Sequence, residues 1–380
     1  MNEYKKVRLG DVCIIPITDG THQTPEYSNE KEGIPFLSSK DVTSKKIDWT
    51  NIKYITKELH EVLYKRITPQ KDDILLAKNG TTGVAAIVET NKVFDIYVTL
   101  ALLRPNKDII HPKYLLLVIN SPFCKRQFDI HLKGVGVPNL HLTDINKTEI
   151  PLPPIETQKQ IATTLDKVIN VIEENKKLLE KYDLLIKSRF IEMFGDPVTN
   201  PMGWEQKKLC EIAEYWNGLT YKPENVQENG IIVLRSSNIQ NSALDFGDTV
   251  RVNCKIKDKQ FVKQNDILMC SRNGSARLVG KVALISELSE PMSFGAFMMI
   301  IRSQYYSYLF TYFQTEAFRR QIRTGATTTV NQITNNMLNI ITLPLPPLEL
   351  QQRFADFVQQ IDKSKFVVQK SLEKAETLYR

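Results

Sequence analysis

The feature that most constrains this chain is an internal repeat. Residues 151–158 read PLPPIETQ and residues 344–351 read PLPPLELQ, so six of eight positions are identical at an offset of 193 residues. The triplet DIL at residues 73–75 recurs at residues 266–268 with the same offset. A repeat on this scale means that the chain folds as two copies of one unit, because matching segments keep the same order in both halves.

Each proline-rich run precedes a segment with the pattern of a long helix. Prolines followed by Glu156 favour a helix start, and Gly195 before Asp196-Pro197 favours its end. Apolar residues then recur at alternating steps of four and three, the period of a coiled-coil seam. Asn175, Arg189 and Lys365 interrupt this seam. The predicted pairing residues are Ile161, Leu165, Val168, Ile172, Leu179, Tyr182, Ile186 and Met193 in the first helix, and Phe354, Val358, Ile361, Val368, Leu372, Ala375 and Tyr379 in the second.

Two matching seams in one chain are most simply satisfied by each other. We therefore expect an intramolecular antiparallel coiled coil that holds two globular blocks apart. The alternative is that each amphipathic helix packs only on its own block.

The globular blocks have the pattern of mixed α/β domains. Short β-rich runs separated by Gly, Asn, Ser and Thr turns alternate with helical segments. The runs are 74–77, 84–88, 231–234 and 282–285, and the helical segments are 120–131 and 306–323. The predicted fold class is α+β, with a first domain at 1–153, a first long helix at 154–195, a second domain at 196–346 and a second long helix at 347–380.

Composition excludes several classes of protein. At 42% hydrophobic and 24% charged residues the chain is globular, and its longest apolar runs fall well short of the ~18 residues of a membrane-spanning helix. The polar start of the sequence does not predict a signal peptide. Five scattered cysteines favour reduced thiols. We expect a cytoplasmic protein without disulfides.

The positive charge is concentrated in the two blocks. Of the net charge of +7, residues 1–150 and residues 195–348 each carry +3, with a neutral segment between them. Two weakly basic blocks suit a polyanionic partner.

Polar and basic turns recur at matching places in the two blocks. Their Lys and Arg side chains can neutralise phosphates, and their polar side chains can read base edges. The candidate DNA-binding residues are Thr21, His22, Gln23, Lys40, Lys45, Lys46, Lys78, Asn79, Thr81 and Thr82 in the first block, and Thr220, Tyr221, Lys222, Arg235, Ser236, Asn238, Arg272, Asn273, Ser275 and Arg277 in the second.

No catalytic constellation is evident. The segment 274–281 has the wrong glycine spacing for a phosphate loop, and no histidine falls at a metal-ligand spacing. Glu205-Gln206-Lys207 has the acid-x-lysine spacing of some nucleases, but lacks a clear acidic partner. We therefore predict no catalytic residue, no metal and no cofactor.

Three features occur together in this chain: the two Leu-Pro-Pro-x-Glu-x-Gln helix starts, the helix end at residues 185–197 and the Asn-Pro-Met-Gly-Trp segment at residues 200–204. In this combination the chain resembles a known family, the specificity subunits of type I restriction–modification systems. The resemblance covers nearly the whole chain. One departure is Cys210, which stands where the first copy has Gly10.

The resemblance implies a non-catalytic DNA-recognition subunit. Each of two target-recognition domains would read one half of a split double-stranded DNA site, with the gap set by the helices. The helices would bind adenine-specific methyltransferase subunits, most simply two, and translocating restriction endonuclease subunits would join that core. Two alternatives stay open: a coiled-coil adaptor whose basic blocks bind protein, and a self-sufficient nuclease or methyltransferase.

Overall fold

A computed structural model describes residues 4–132, 138–286, 288–324 and 331–379. It divides into two compact units, residues 1–171 with 375–380, and residues 172–374. Arg380, the last residue of the predicted second long helix, lies outside the described residues.

The first unit contains two four-stranded sheets and a short two-stranded one. Their orders are β2-β9-β6-β7, β3-β5-β4-β8 and β1-β10, with β4 and β8 parallel. The strands are β1 (Lys6–Arg8), β2 (Thr18–Asp19), β3 (Tyr27–Ser28), β4 (Ile34–Leu37), β5 (Lys53–Ile55), β6 (Ile74–Ala77), β7 (Ala85–Ile87), β8 (Asp95–Ile96), β9 (Leu100–Leu103) and β10 (Glu149–Pro151). The helices are α1 (Lys57–Arg66), α2 (Pro112–Ile119), α3 (Pro122–His131), α4 (Leu142–Lys147) and residues 155–171 of the first long helix, α5 (Ile155–Phe194).

The second unit repeats this arrangement. Its sheets are β12-β20-β17-β18, β16-β13-β19 with β13 and β19 parallel, β14-β15 and β11-β21. The strands are β11 (Gln206–Lys208), β12 (Glu214–Asn217), β13 (Val226–Leu234), β14 (Ile239–Gln240), β15 (Ala243–Leu244), β16 (Arg251–Val252), β17 (Ile267–Cys270), β18 (Val282–Leu284), β19 (Met292–Phe294), β20 (Met298–Arg302) and β21 (Thr342–Pro344). The helices are residues 172–194 of α5, α6 (Leu209–Ile212), α7 (Tyr306–Tyr312), α8 (Glu316–Thr324), α9 (Asn335–Asn339) and residues 348–374 of the second long helix, α10 (Leu348–Tyr379).

The central strand of each unit is buried on both faces. In β6, Ile74 and Leu76 pack against the core under α2 and α3, whereas Leu75 and Ala77 belong to a second core. Successive strand residues point to opposite faces, so an uninterrupted apolar run is what a strand between two cores requires. Strand β17 divides its residues between two cores in the same way. The predicted α+β fold with a duplicated mixed α/β domain is therefore confirmed.

The proline-rich motif starts each long helix through its buried glutamine. The Gln158 side chain donates to the carbonyl of Pro153 at 2.8 Å, and Gln351 donates to the carbonyl of Pro346 at 2.7 Å. The carbonyl ahead of each helix start needs a hydrogen-bond donor, which the glutamine side chain supplies. This bond explains why glutamine ends both copies of the motif.

The first long helix ends where the sequence predicted, at a glycine. Gly195 has a φ of +79° and its N–H donates to the carbonyl of Ile191 at 2.8 Å. A left-handed glycine just beyond the last turn is a common helix C-terminus. Trp204 reaches back and its indole N–H donates to the carbonyl of Phe194 at 2.9 Å. The Asn-Pro-Met-Gly-Trp segment thus completes the helix end.

Within the second unit, α5 and α10 run antiparallel. The residues that interrupt the apolar seam bond across the pair: Asn175 Nδ2 lies 3.0 Å from Ser371 Oγ, and Lys365 Nζ lies 2.7 Å from Asp183 Oδ1. Arg189 lies over the Phe357 ring. Partner numbers fall as α5 numbers rise, which confirms the predicted antiparallel coiled coil.

All fifteen predicted seam residues are buried or half-buried, but two details differ from the prediction. Ile161 packs against the core of the first unit. Phe190 and Phe194, absent from the predicted seam, pack against Phe354 and Tyr308 in the core of the second unit, mostly edge to face, with ring centroids 5.1–5.6 Å apart. The predicted helix at 306–323 is also divided, into α7 and α8. Of the helices in the described ranges, none is both long enough and apolar enough to cross a membrane.

Candidate nucleic-acid interface

In the first unit, the loop after β6 is fixed between two other segments. The N–H of Lys78 donates to the carbonyl of Thr99 at 2.9 Å, and the N–H of Leu140 donates to the carbonyl of Lys78 at 2.7 Å. Asn79 forms an isolated antiparallel bridge with Asn139. The polar turn predicted from sequence is therefore held by main-chain bonds on both sides.

The second unit builds its loop after β17 in the same way. The N–H of Ser271 donates to the carbonyl of Phe297 at 3.0 Å, and the N–H of Ile333 donates to the carbonyl of Ser271 at 2.7 Å. Arg272 forms an antiparallel bridge with Gln332. The two copies thus hold corresponding loops by corresponding main-chain bonds, while the loop side chains differ.

A glycine next to each loop allows a close backbone approach. A Cβ on Gly20 would lie 1.9 Å from the carbonyl oxygen of Ile96, and one on Gly218 would lie 2.1 Å from that of Phe294. Only a residue without a side chain fits against these backbone atoms. Both copies therefore need glycine at this position.

Two predicted contacts in the first unit are buried. Lys78 is 7% exposed and its ammonium lies 3.1 Å from Asp19 Oδ2, while Arg66 and His22 also contact the Asp19 carboxylate. Thr21 is 5% exposed, and its hydroxyl accepts from the N–H of Gln23. The buried ion pair between Lys78 and Asp19 holds the conformation of the loop. Both side chains are buried in this structure, and their direct contact with DNA stays a prediction.

Asn238 is likewise buried in the second unit. It is fully buried, its amide donates to the carbonyls of Asp245 and Asp248, and its Oδ1 accepts from the N–H of Arg235. All of these bonds stabilise the turn that carries Arg235. Asn238 therefore stabilises this loop, and its contact with DNA stays a prediction.

The other seventeen candidates are exposed or half-buried. Among them, Asn273 Nδ2 lies 3.2 Å from Ser236 Oγ, so these two side chains form one cluster. Arg235 pairs with Asp248 at 2.8 Å, and Lys45 lies over the ring of Tyr379. The seventeen are His22, Gln23, Lys40, Lys45, Lys46, Asn79, Thr81, Thr82, Thr220, Tyr221, Lys222, Arg235, Ser236, Arg272, Asn273, Ser275 and Arg277.

Sequence reasoning missed two residues next to the second loop. Phe297 is 59% exposed and lies against the Arg272 guanidinium. Asn331 donates from its side chain to the carbonyl of Gly274 at 3.1 Å. Both are distant from the loop in sequence, and neither belongs to a repeated motif. Phe297 and Asn331 are identified only when the main-chain hydrogen bonds that hold the two corresponding loops are compared.

A histidine–carboxylate pair lies apart from these loops. His60 Nδ1 lies 2.6 Å from the buried Asp95 Oδ2, and burial raises the pKa of the Asp95 carboxyl. In the described ranges, no three or more His, Cys, Asp or Glu residues lie together in a group that could hold a metal ion.

Comparison with known proteins supplies the family. The model of the type I restriction modification DNA specificity domain matches the chain twice, over residues 1–181 and 201–376. The chain belongs to this family. The two matches correspond to the two copies found in the sequence, and the predicted family is confirmed.

Similar proteins agree with this assignment. The type I restriction enzyme MjaVIII specificity subunit of Methanocaldococcus jannaschii is 26% identical, with 98% of this chain and 89% of that protein covered. The StySPI specificity subunit of Salmonella potsdam is 23% identical, with 90% and 78% covered. The crystal structure of the type I S subunit from M. genitalium has the same fold, with a TM-score of 0.62 at 14% identity over 100% of this chain and 95% of that one. The chain is thus a DNA-specificity subunit with two recognition domains, not a catalytic subunit.

Proposed function

We propose that this specificity subunit binds a bipartite double-stranded DNA sequence and reads one half-site with each recognition domain. The observation that carries the proposal is the duplicated loop: corresponding main-chain bonds hold loops with different side chains in the two units. Such a scaffold presents two different sets of donors and acceptors to two different base sequences. The proposed domains are residues 1–153 and 196–346, joined by spacer helices at 154–195 and 347–380.

The proposed DNA-binding surface consists of the seventeen candidates that are exposed or half-buried. Its lysines and arginines supply charge for phosphates, while its Asn, Gln, Ser and Thr side chains supply donors and acceptors for base edges. Lys78, Thr21 and Asn238 support this surface from within. The DNA-binding role needs no metal or cofactor.

The paired helices support a docking role. Several large apolar side chains are exposed on the segments of α5 and α10 that belong to the second unit. Exposed apolar side chains that are concentrated in this way are typical of a surface that binds another protein. The exposed side chains are Leu178, Leu184, Leu185, Ile191, Phe366 and Val367. We propose that adenine-specific methyltransferase subunits, most simply two, dock on the spacer helices, and that translocating endonuclease subunits join this cytoplasmic complex.

The spacer helices would set the gap between the half-sites. Helix α5 has 40 residues, which corresponds to about 60 Å at ~1.5 Å per residue. The antiparallel register places residues 172–178 opposite residues 368–374, since Asn175 bonds to Ser371. Deleting both segments removes one heptad from each helix and returns the apolar residues to the same face.

The test is to select binding sites from a random DNA library with the full chain and its methyltransferase subunits. The double deletion shortens the helices by ~10 Å, or about three base pairs at ~3.4 Å each. We expect the same two half-sites with a gap shorter by about three base pairs, or very weak binding, because three base pairs also turn the duplex by roughly 100°. Deleting 172–178 alone is the control, since it destroys the register. Tight binding of the double deletion to the original gap would contradict the proposal.

A further inference from the structure

Phe297 is an exposed aromatic residue beside the loop of the second recognition domain. It follows β19 and is 59% exposed, and the Arg272 guanidinium carbon lies 5.3 Å from its ring centroid. A single exposed phenylalanine needs no explanation by itself. Its contact with the Arg272 side chain calls for an explanation, because Arg272 belongs to the proposed DNA-binding surface.

The main chain beneath this pair is fixed on two sides. The carbonyl of Phe297 accepts from the N–H groups of both Ser271 and Arg272, at 3.0 and 3.1 Å. Arg272 is also bridged to Gln332. The backbone that carries the guanidinium is therefore held in place, and the ring restricts the side chain beyond it.

The scaffold itself does not require an aromatic residue here. In the first domain, Thr99 occupies the equivalent place, accepting from the N–H of Lys78. The Thr99 hydroxyl accepts from the N–H of Ser39 at 3.0 Å. Since a small polar residue serves the same main-chain bond, the exposed ring of Phe297 points to a role outside the fold.

We propose that Arg272, held by Phe297, reads a guanine in the half-site of the second domain. This inference rests on the proposed function. A guanidinium donates two parallel hydrogen bonds to O6 and N7 of guanine, a geometry that depends on the orientation of its plane. Arg272 is the reading residue, and Phe297 is a positioning residue that reduces the conformational freedom Arg272 loses on binding.

The test compares two arginines of the same connection between β17 and β18. Arg277 is exposed, and in the described part of the chain no aromatic ring or acidic side chain contacts its guanidinium. The full chain and its methyltransferase subunits select sites from a random library as wild type, Arg272→Ala and Arg277→Ala. We expect Arg272→Ala to lose the preference for guanine at one position of one half-site, with about ten- to hundred-fold weaker binding to the wild-type site. Arg277→Ala should weaken binding to all sequences alike and leave every preference intact.

Phe297→Leu and Phe297→Tyr separate positioning from folding. Phe297→Leu should keep the guanine preference but reduce discrimination at that position by about two- to five-fold, whereas Phe297→Tyr should retain it. Unchanged preferences at the other positions of the second domain's half-site show in the same experiment that the substituted domain of each variant is folded.

The outcomes separate this inference from the proposed function. Equal weakening of all sequences by Arg272→Ala, or full discrimination in Phe297→Leu, overturns the inference while a two-part wild-type site still supports the function. Failure of the wild-type complex to select any two-part site overturns the proposed function itself.

Discussion

The two recognition domains have the same buried framework and different loops. In the first, Arg104 donates to both oxygens of the buried Asp73 at 2.9 and 2.8 Å; in the second, Arg302 donates to both oxygens of the buried Asp266, both at 2.7 Å. Such bidentate ion pairs fix the position of one strand relative to the next. Both domains therefore keep the same arginine–aspartate pair, which fixes the position of the central strand relative to its neighbour.

The loops show the opposite behaviour. The first domain supports its loop with the buried pair of Lys78 and Asp19, whereas the corresponding residues of the second domain are the neutral Ser271 and Asn217. The second domain instead has Arg272 and Phe297 at the surface. The two domains therefore share the main-chain hydrogen bonds that hold these loops and differ in the side chains that the loops carry. The proposed binding of two different half-sites requires this combination.

The sharpest test of the shared framework is to remove its arginines. Arg104→Ala and Arg302→Ala each leave a buried carboxylate without its cation, and Asp73 and Asp266 are both 1% exposed. We expect each variant to lose about 3–5 kcal/mol of the free energy of unfolding of its own domain. Urea denaturation, with hydrogen exchange to assign the loss to a domain, measures this. A large loss in one domain only would break the equivalence of the two copies.

The sequence was sufficient to predict the framework because the framework is what the copies share. The repeated Leu-Pro-Pro-x-Glu-x-Gln motif revealed both long helices, and the apolar period revealed their seam. The interruptions at Asn175 and Lys365 looked unfavourable in one helix alone. Their partners Ser371 and Asp183 lie on the other helix, so only the antiparallel register shows that the interruptions are matched.

The loop residues could not be assigned from sequence for a related reason. Lys78 looks like a surface cation in the turn Lys78-Asn79-Gly80, and its burial depends on Asp19, 59 residues earlier. Phe297 lies in an apolar strand-rich segment and gives no sign of exposure. Both cases depend on which distant backbone segments meet, and local pattern carries no such information.

A second prediction concerns the glutamine that both copies bury. Gln158 makes three hydrogen bonds: its Oε1 accepts from the N–H of His111, and its Nε2 donates to the carbonyls of Ile109 and Pro153. Gln351 donates to Pro346, and its Oε1 has no partner in the described residues. Methionine fills a similar volume without these bonds, so Gln158→Met and Gln351→Met isolate the hydrogen bonding.

We expect Gln158→Met to cost about 2–3 kcal/mol and Gln351→Met less than about 1 kcal/mol, because the first leaves three backbone groups unsatisfied and the second only one. Thermal and urea unfolding of the two variants measures the difference. Equal losses would mean that the shared motif acts through packing rather than through hydrogen bonds.

The smallest expected effect tests a place where the framework itself differs between the copies. Gly10 lies in the turn Leu9–Val12, and a Cβ there would lie 2.6 Å from Asn146 Oδ1. In the second copy Cys210 takes this position, and the equivalent asparagine, Asn339, is turned to accept from the Tyr215 hydroxyl. The first copy thus excludes a side chain that the second accommodates.

Gly10→Ala should therefore destabilise the first domain by about 1 kcal/mol, although replacing glycine by alanine at an unstrained site stabilises by a similar amount. The loss arises because Asn146, whose amide donates to the carbonyl of Leu142, must turn away from the new methyl group. In a double-mutant cycle, Asn146→Ala should abolish the cost of Gly10→Ala, giving a coupling of at least ~0.5 kcal/mol between the two positions. Because this contact involves the end of one side chain, the two copies can differ here while their main-chain framework stays the same. Additive effects of the two substitutions would instead place the requirement for Gly10 in the backbone.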